Sequence, residues 1–191
     1  LIFSNPTGDL PLSELEGQFV FETLTKAGIK VDHKNKEEAT LQYFVENINE
    51  YSIFHYCGHA CFLENNQNDK LLFLHDNYLS ITDLLSHKPT LKFAFLNSCN
   101  SGTQTAYPYG ELTSPAISFL ITGTATVLAP LISVPDEVAY SKAKRFYTQA
   151  VKGIPLGSIS GFIDFESLDV WENYDLYYRL YGLPEIKIIE K

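Results

Sequence analysis

Methionine is absent from all 191 residues, position 1 included, and the first residues form an apolar run, Leu1-Ile2-Phe3, that reads as a strand already under way. Both features predict a segment of a longer polypeptide. Cysteine is scarce as well. Cys57, Cys61 and Cys99 are too few, and odd in number, for a disulfide framework, which points to a reducing, cytoplasmic setting. Basic side chains are outnumbered, 14 Lys and Arg against 23 Asp and Glu, for a net charge of -9. A surface that tracks phosphates needs the opposite balance, so direct nucleic-acid binding is disfavoured. No apolar run reaches the ~18 residues that span a bilayer, and no signal peptide opens the chain, so no membrane partner is expected. Internal repeats and low-complexity stretches are missing, and no glycine-rich phosphate loop with a Lys follows any strand, which argues against a nucleotide-binding protein. What the chain does have is a 45% hydrophobic share spread along its length, enough to fold residues 1–191 as one domain.

The apolar pattern alternates strand and helix. Ser13 and Glu16 have capping-box spacing, and Leu15, Phe19, Val20, Leu24 and Ala27 trace one helical face. Residues 29–31 read as a short strand. Asn35 is expected to cap a second helix with Leu41, Phe44, Val45 and Ile48 inward. Residues 51–57 form a buried strand by their β-branched and aromatic content. The stretch 61–79 reads as hairpins around Asn65-Asn66 and Asp76-Asn77, followed by a short helix over 81–86. Residues 91–96 are another core strand. Ser114-Pro115 starts a helix that Gly123 ends, 124–128 is a strand, and Asp136 opens a longer helix stopped at Gly153. The apolar run 186–189 reads as an edge strand. This alternation predicts an α/β fold, a three-layer sandwich with a mostly parallel central sheet between helices.

Functional groups of such sheets gather beyond the carboxyl ends of the strands. Strand 51–57 runs into Gly58-His59-Ala60, and strand 91–96 into Ser98-Cys99-Asn100. If the two strands are parallel neighbours, His59 and Cys99 emerge over the same rim as a nucleophile with a proton shuttle. A free thiol of pKa about 8.5 is only partly ionised at neutral pH, yet its thiolate is very nucleophilic. An imidazole, with its ordinary pKa near 6.5, is suited to protonating a departing amine. The amides of Ala60 and Cys99 are placed to meet a developing oxyanion, where one donor is worth roughly 3 kcal/mol. The plainer alternatives are a buried cysteine acting as a small hydrophobe and a histidine that is merely hydrogen-bonded. His55, Cys57, His59 and Cys61 also alternate, but residues two apart on a strand are about 6.6 Å apart, too wide for four consecutive ligands to close on one zinc. Neither a metal nor a cofactor is therefore expected. Glu14, Glu16, Asp32 and Glu37-Glu38 read as solvated or first-turn charges, and Asp136 after Pro135 as a helix N-cap.

The segments "YSIFHYCGHACF" and "LKFAFLNSCNSG", some forty residues apart, resemble the two active-site blocks of the CHAT family, caspase-like cysteine peptidases related to separase, caspases and gingipains. "LIFSNPTGDLPLSELEGQFV", "SPAISFLITGTATVLAPLISVPDEVA", "RFYTQAVKGIPLG" and "WENYDLYYRLYGLPE" resemble the family's other segments in order. The resemblance implies a caspase-like fold and an endopeptidase in which Cys99 is the nucleophile and His59 the general acid/base. It gives the oxyanion donors as the amides of Ala60 and Cys99, and lets Asp136 line a pocket for a basic residue before the cut. It also implies a protein or peptide substrate and a regulatory repeat or sensor domain, as in bacterial immunity or signalling. Two departures bear on substrate choice. Leu131-Ile132-Ser133 stands where relatives carry a tryptophan, and Gly157, Ser158, Ser160 and Gly161 weaken the last helix. The competing reading is a catalytically silent scaffold or signalling module of the same fold.

Overall fold

The computed structural model of the chain describes residues 1–60, 70–99, 101–102, 105–106, 112–160 and 177–190. Strand β1 (Ile2–Ser4) leads to helix α1 (Pro11–Lys26) and β2 (His33–Asn35), then to α2 (Leu41–Asn47) and β3 (Ile53–Cys57). A hairpin of β4 (Lys70–Phe73) and β5 (Tyr78–Ser80) precedes α3 (Ile81–His87) and β6 (Phe93–Asn97). A small ribbon, β7 (Thr105–Ala106) with β8 (Leu112–Thr113), is followed by α4 (Pro115–Ile121), β9 (Thr126–Pro130), α5 (Asp136–Ala150), α6 (Leu156–Ser160) and β10 (Tyr178–Gly182).

Six strands pair in the order β10-β9-β6-β3-β1-β2, all parallel except β10, which runs antiparallel to β9. Side chains alternate across this sheet as a period of two requires. Phe3, Phe54, Tyr56, Ala94, Leu96, Val127 and Ala129 meet Phe44 of α2, Leu84 of α3 and Phe119 of α4. Ile2, Phe93, Phe95 and Leu128 face the other way, onto Val20 and Leu24 of α1 and Phe146, Tyr147 and Ala150 of α5. Helices thus cover both faces, as expected of a three-layer α/β fold. Among the described residues no helix is long and apolar enough to cross a membrane.

Several local expectations are corrected. Helix α1 starts at Pro11, whose missing N–H suits a first turn, so Ser13 and Glu16 lie inside the helix and form no capping box. Its inward face is Ser13, Glu16, Gly17, Val20 and Leu24, while Leu15 is exposed. The cause is Gly17: a Cβ there would fall 2.5 Å from Ser4 Cβ, so only glycine lets the helix settle onto β1. Gly17→Ala should lower stability by at least about 1–2 kcal/mol in denaturant unfolding, because overpacking outweighs the helix-propensity gain of about 1 kcal/mol. The second strand sits at His33–Asn35 rather than 29–31, and α2 is capped by Thr40, whose side chain accepts from Tyr43 N–H, not by Asn35. The last strand is Tyr178–Gly182 instead of 186–189, and Ile186 and Ile188 pack on the core. The hairpin around Asp76-Asn77, the capped start at Ser114 and the long helix from Asp136 stand as expected. Asn65-Asn66 and Cys61 lie outside the described residues.

Candidate active site

Strands β1 and β3 are neighbours although the chain visits β2 between them. The connection after β1 goes to α1 on one face and that after β3 goes on to α3 on the other, so a crevice opens at their carboxyl ends. Asn5 turns the chain out of β1. Its φ of 48° is left-handed, which Asn tolerates; its N–H donates to Cys57 O (2.9 Å) and its Oδ1 accepts from Leu10 N–H (2.8 Å). The turn so closed presents Thr7 and Asp9.

In the parallel pair of β3 and β6, Cys57 is registered with Asn97, and two residues beyond each stand His59 and Cys99. With adjacent strands about 4.8 Å apart, both residues leave the sheet at one rim. The His59 ring is partly exposed, and its Nε2 lies 3.1 Å from Asp9 Oδ2 and 3.3 Å from Oδ1. The Thr7 hydroxyl donates to Asp9 Oδ1; that bond first, and His59 second, hold the Asp9 carboxyl below the usual range. Tyr56 fixes the His59 backbone, its hydroxyl lying 2.7 Å from the carbonyl oxygens of both His59 and Phe73. Gly58 leaves the space for this hydroxyl, since a Cβ there would come within 2.6 Å of it.

Cys99 is half-buried, and its thiol is directed at Val134 O, 3.7 Å away. That carbonyl belongs to the loop between β9 and α5, which leads into Asp136. The structure thus joins Cys99 to the Asp136 loop and His59 to Asp9, with no hydrogen bond between His59 and Cys99. Asp136 is the first residue of α5, and Pro135 holds the cap position without a side-chain bond, so Asp136 is a first-turn charge and not the N-cap. Ala60 pairs with Leu72 in an isolated bridge whose bond runs from Phe73 N–H to His59 O (3.0 Å). Among the described residues the N–H groups of Ala60 and Cys99 donate no hydrogen bond.

Beneath this rim lies a polar cluster around Glu16, an acid whose sequence context reads as a solvated or first-turn charge. Glu16 is buried, its Oε1 accepting from Asn97 Nδ2 (2.7 Å) and standing 2.9 Å from His55 Nε2, off the line of a hydrogen bond. His55 Nδ1 is 3.2 Å from the Tyr147 hydroxyl, and the Cys57 thiol lies 3.2 Å from Ser13 O. Burial, with the nearby Asp136 charge adding to it, raises the Glu16 carboxyl well above its ordinary range; burial also lowers His55 to about 3 and raises the Cys57 thiol. The donor atoms of Glu16, His55 and Cys57 lie within 4.8 Å of one another. The thiol and the carboxyl already have protein partners in Ser13 O and Asn97 Nδ2. Asp9, Asn97 and Glu16 are the residues that sequence reading missed. For Asp9 the signal was its place in the turn-rich Asn5-Pro6-Thr7-Gly8-Asp9 after a strand, and for Asn97 its position two before Cys99.

The CHAT domain family model matches residues 1–157. The chain belongs to the CHAT family. No curated protein matches its sequence. Among solved structures it is similar to the separase-securin complex of Saccharomyces cerevisiae, with a TM-score of 0.72 and 18% identity over 96% of this chain and 12% of that one. It is also similar to the Arg-specific cysteine proteinase gingipain R, with a TM-score of 0.71 and 13% identity over 97% of this chain and 46% of that one. The complex of gingipain pro- and mature domains from Porphyromonas gingivalis gives 0.66 and 14%, over 96% and 47%. The CHAT domain therefore has the caspase-like fold of these cysteine peptidases, and it spans less than half the length of each of those chains.

Proposed function

We propose that this CHAT domain is a cysteine endopeptidase in which Cys99 and His59 do the chemistry. The observation that carries the reading is the β3–β6 register, which sends both residues out two positions past the Cys57–Asn97 rung, with Asp9 against the imidazole. His59 takes the thiol proton, and the Cys99 thiolate attacks the scissile carbonyl carbon. The electron pair displaced onto oxygen is met by the N–H groups of Ala60 and Cys99. As the C–N bond breaks, His59 gives its proton to the leaving amine and a thioester remains on Cys99. Water, deprotonated by His59, hydrolyses that thioester and restores the thiol. Asp9 orients the imidazole and stabilises its cationic form.

Asp136, at the start of α5 just past the loop that the thiol faces, supplies negative charge for an Arg or Lys side chain before the cut. The Arg specificity of gingipain R supports that preference. The complexes of separase with securin and of gingipain with its pro-domain support control of this site by a protein partner or an attached repeat or sensor domain. A cytoplasmic signalling or immunity role is part of the same proposal.

The test is an arginyl peptide chloromethyl ketone followed by mapping of the modified residue. Cys99 is the expected site, whereas Cys57, buried and with its thiol pushed up, stays unmodified. Asp136→Ala should slow the arginyl reagent at least tenfold and leave an alanyl reagent unaffected. A Cys99 that never reacts selects the silent scaffold instead, and equal slowing of both reagents removes the pocket role of Asp136.

A further inference from the structure

Strand β10 lies at the edge of the sheet, three strands away from β3 and His59, yet two of its side chains reach the loop that carries Cys99. Tyr178 donates to Asn97 Oδ1 at 2.6 Å, at the start of the loop, and Tyr181 donates to Gly102 O at 2.7 Å, at its end. The two tyrosines are three apart on a strand, so they leave opposite faces of the sheet. Tyr178 packs with the α1–α5 side and Tyr181 with the α2–α4 side, and the hydroxyls close on the loop from both.

Neither acceptor has slack. Asn97 gives its two amide protons to Glu16 Oε1 (2.7 Å) and Ala139 O (3.0 Å), which leaves Oδ1 to face Tyr178. Gly102 gives its N–H to Pro130 O (2.8 Å), and a Cβ there would come within 3.0 Å of that same oxygen, so the peptide is pressed against β9 while Tyr181 holds its carbonyl. Between these ends, Ser101 Oγ donates to Leu96 O (2.7 Å) and Ser101 N–H to Ser98 O (3.2 Å), folding the loop onto its own strand. A phenylalanine would fill the core as well as either ring, so what the hydroxyls add is directional restraint on the backbone that aims the thiol.

We propose that Tyr178 and Tyr181 are positioning residues for the nucleophile, bracketing the Cys99 loop so that docking of β10 sets the aim of the thiol. The role rests on the reading of Cys99 as nucleophile. The experiment compares Tyr178→Phe, Tyr181→Phe and the double variant with the parent by two readouts. One is amide hydrogen exchange over residues 97–102. The other is the alkylation of Cys99 by the arginyl peptide chloromethyl ketone, resolved into its maximal rate and its half-saturating concentration.

Loop exchange should quicken at least tenfold in each single variant, with exchange in β3 and α5 as in the parent. The maximal alkylation rate should change tenfold or more, while the half-saturating concentration moves less than twofold. Loop exchange as slow as in the parent overturns the clamp whatever the protein's activity, because that readout needs no chemistry. Faster loop exchange with an unchanged alkylation rate overturns the positioning role and leaves the peptidase reading standing. A parent Cys99 inert to the reagent overturns the peptidase reading itself, and the role of the tyrosines in catalysis with it.

Discussion

A Cys99→Ala protein should fold as its parent does and cleave no peptide, with turnover down at least 1000-fold, on the order of what losing an activated nucleophile and its base removes. Stability is spared because the thiol contributes one long contact, 3.7 Å to Val134 O, at a half-buried position. His59→Ala should lose about as much, since the two groups act as a unit and their effects do not add. Asp9→Asn should lose less, about tenfold. Its carboxylate and the ring are 63% and 43% exposed, and water and salt screen a pair so placed. That ranking separates an orienting residue from the reacting ones: Asp9→Asn should lower kcat while KM holds. Peptide cleavage followed by mass spectrometry, with circular dichroism to confirm folding, measures all three. A Cys99→Ala protein that still cleaves would refute the proposed chemistry, and an Asp9→Asn protein as slow as His59→Ala would place Asp9 among the reacting groups.

The fold was legible where chemistry is local. The β-branched and aromatic content of residues 51–57 and the apolar run 91–96 were enough to find β3 and β6, because each is buried on both faces and each apolar residue has a neighbour to meet. The positions of His59 and Cys99 followed from those strand ends, and the register required only that the strands pair in parallel, as they do. Contacts between remote segments were not legible. Asp9 meets His59 across 50 residues and Glu16 meets Asn97 across 81, and in isolation each acid looks like any surface charge. The rotation of α1 that buries Glu16 follows from Gly17 pressing on Ser4, a steric fact of the folded state. At the other end, the apolar run 186–189 looked more strand-like than Tyr178–Gly182. β10 owes its existence to pairing with β9 and to Gly182, whose φ of 90° lets the chain pass close to Ala125. Local propensity carries neither contribution.

Glu16→Gln should become steadily more stable relative to its parent as pH rises above the ordinary carboxyl range, until the folded carboxyl itself ionises. The sign follows from proton counts. In the unfolded chain Glu16 loses its proton near the ordinary 4.5, whereas in the fold burial keeps it protonated well above that value. Above pH 4.5 the folded parent therefore holds one proton more than the unfolded chain, and raising the pH draws it toward the unfolded state until the folded carboxyl ionises. Glutamine has the same shape, retains an acceptor for Asn97 Nδ2, and has no proton to lose. Taking the difference between the two proteins removes the groups remote from Glu16; His55, 2.9 Å from it, is lowered by burial to about 3, and its own contribution falls away as pH drops below 6.5. Denaturant unfolding at half-unit pH steps measures it. Parallel curves would mean that Glu16 is already ionised in the fold beside a neutral His55, whereas a proton passed from Glu16 to His55 would leave the count and the slope unchanged. The neutral state matters for the chemistry above it as well. Glu16 bonds to the side chain two residues before Cys99, and a buried negative charge there would oppose formation of the thiolate. An uncharged carboxyl fixes Asn97 without that penalty.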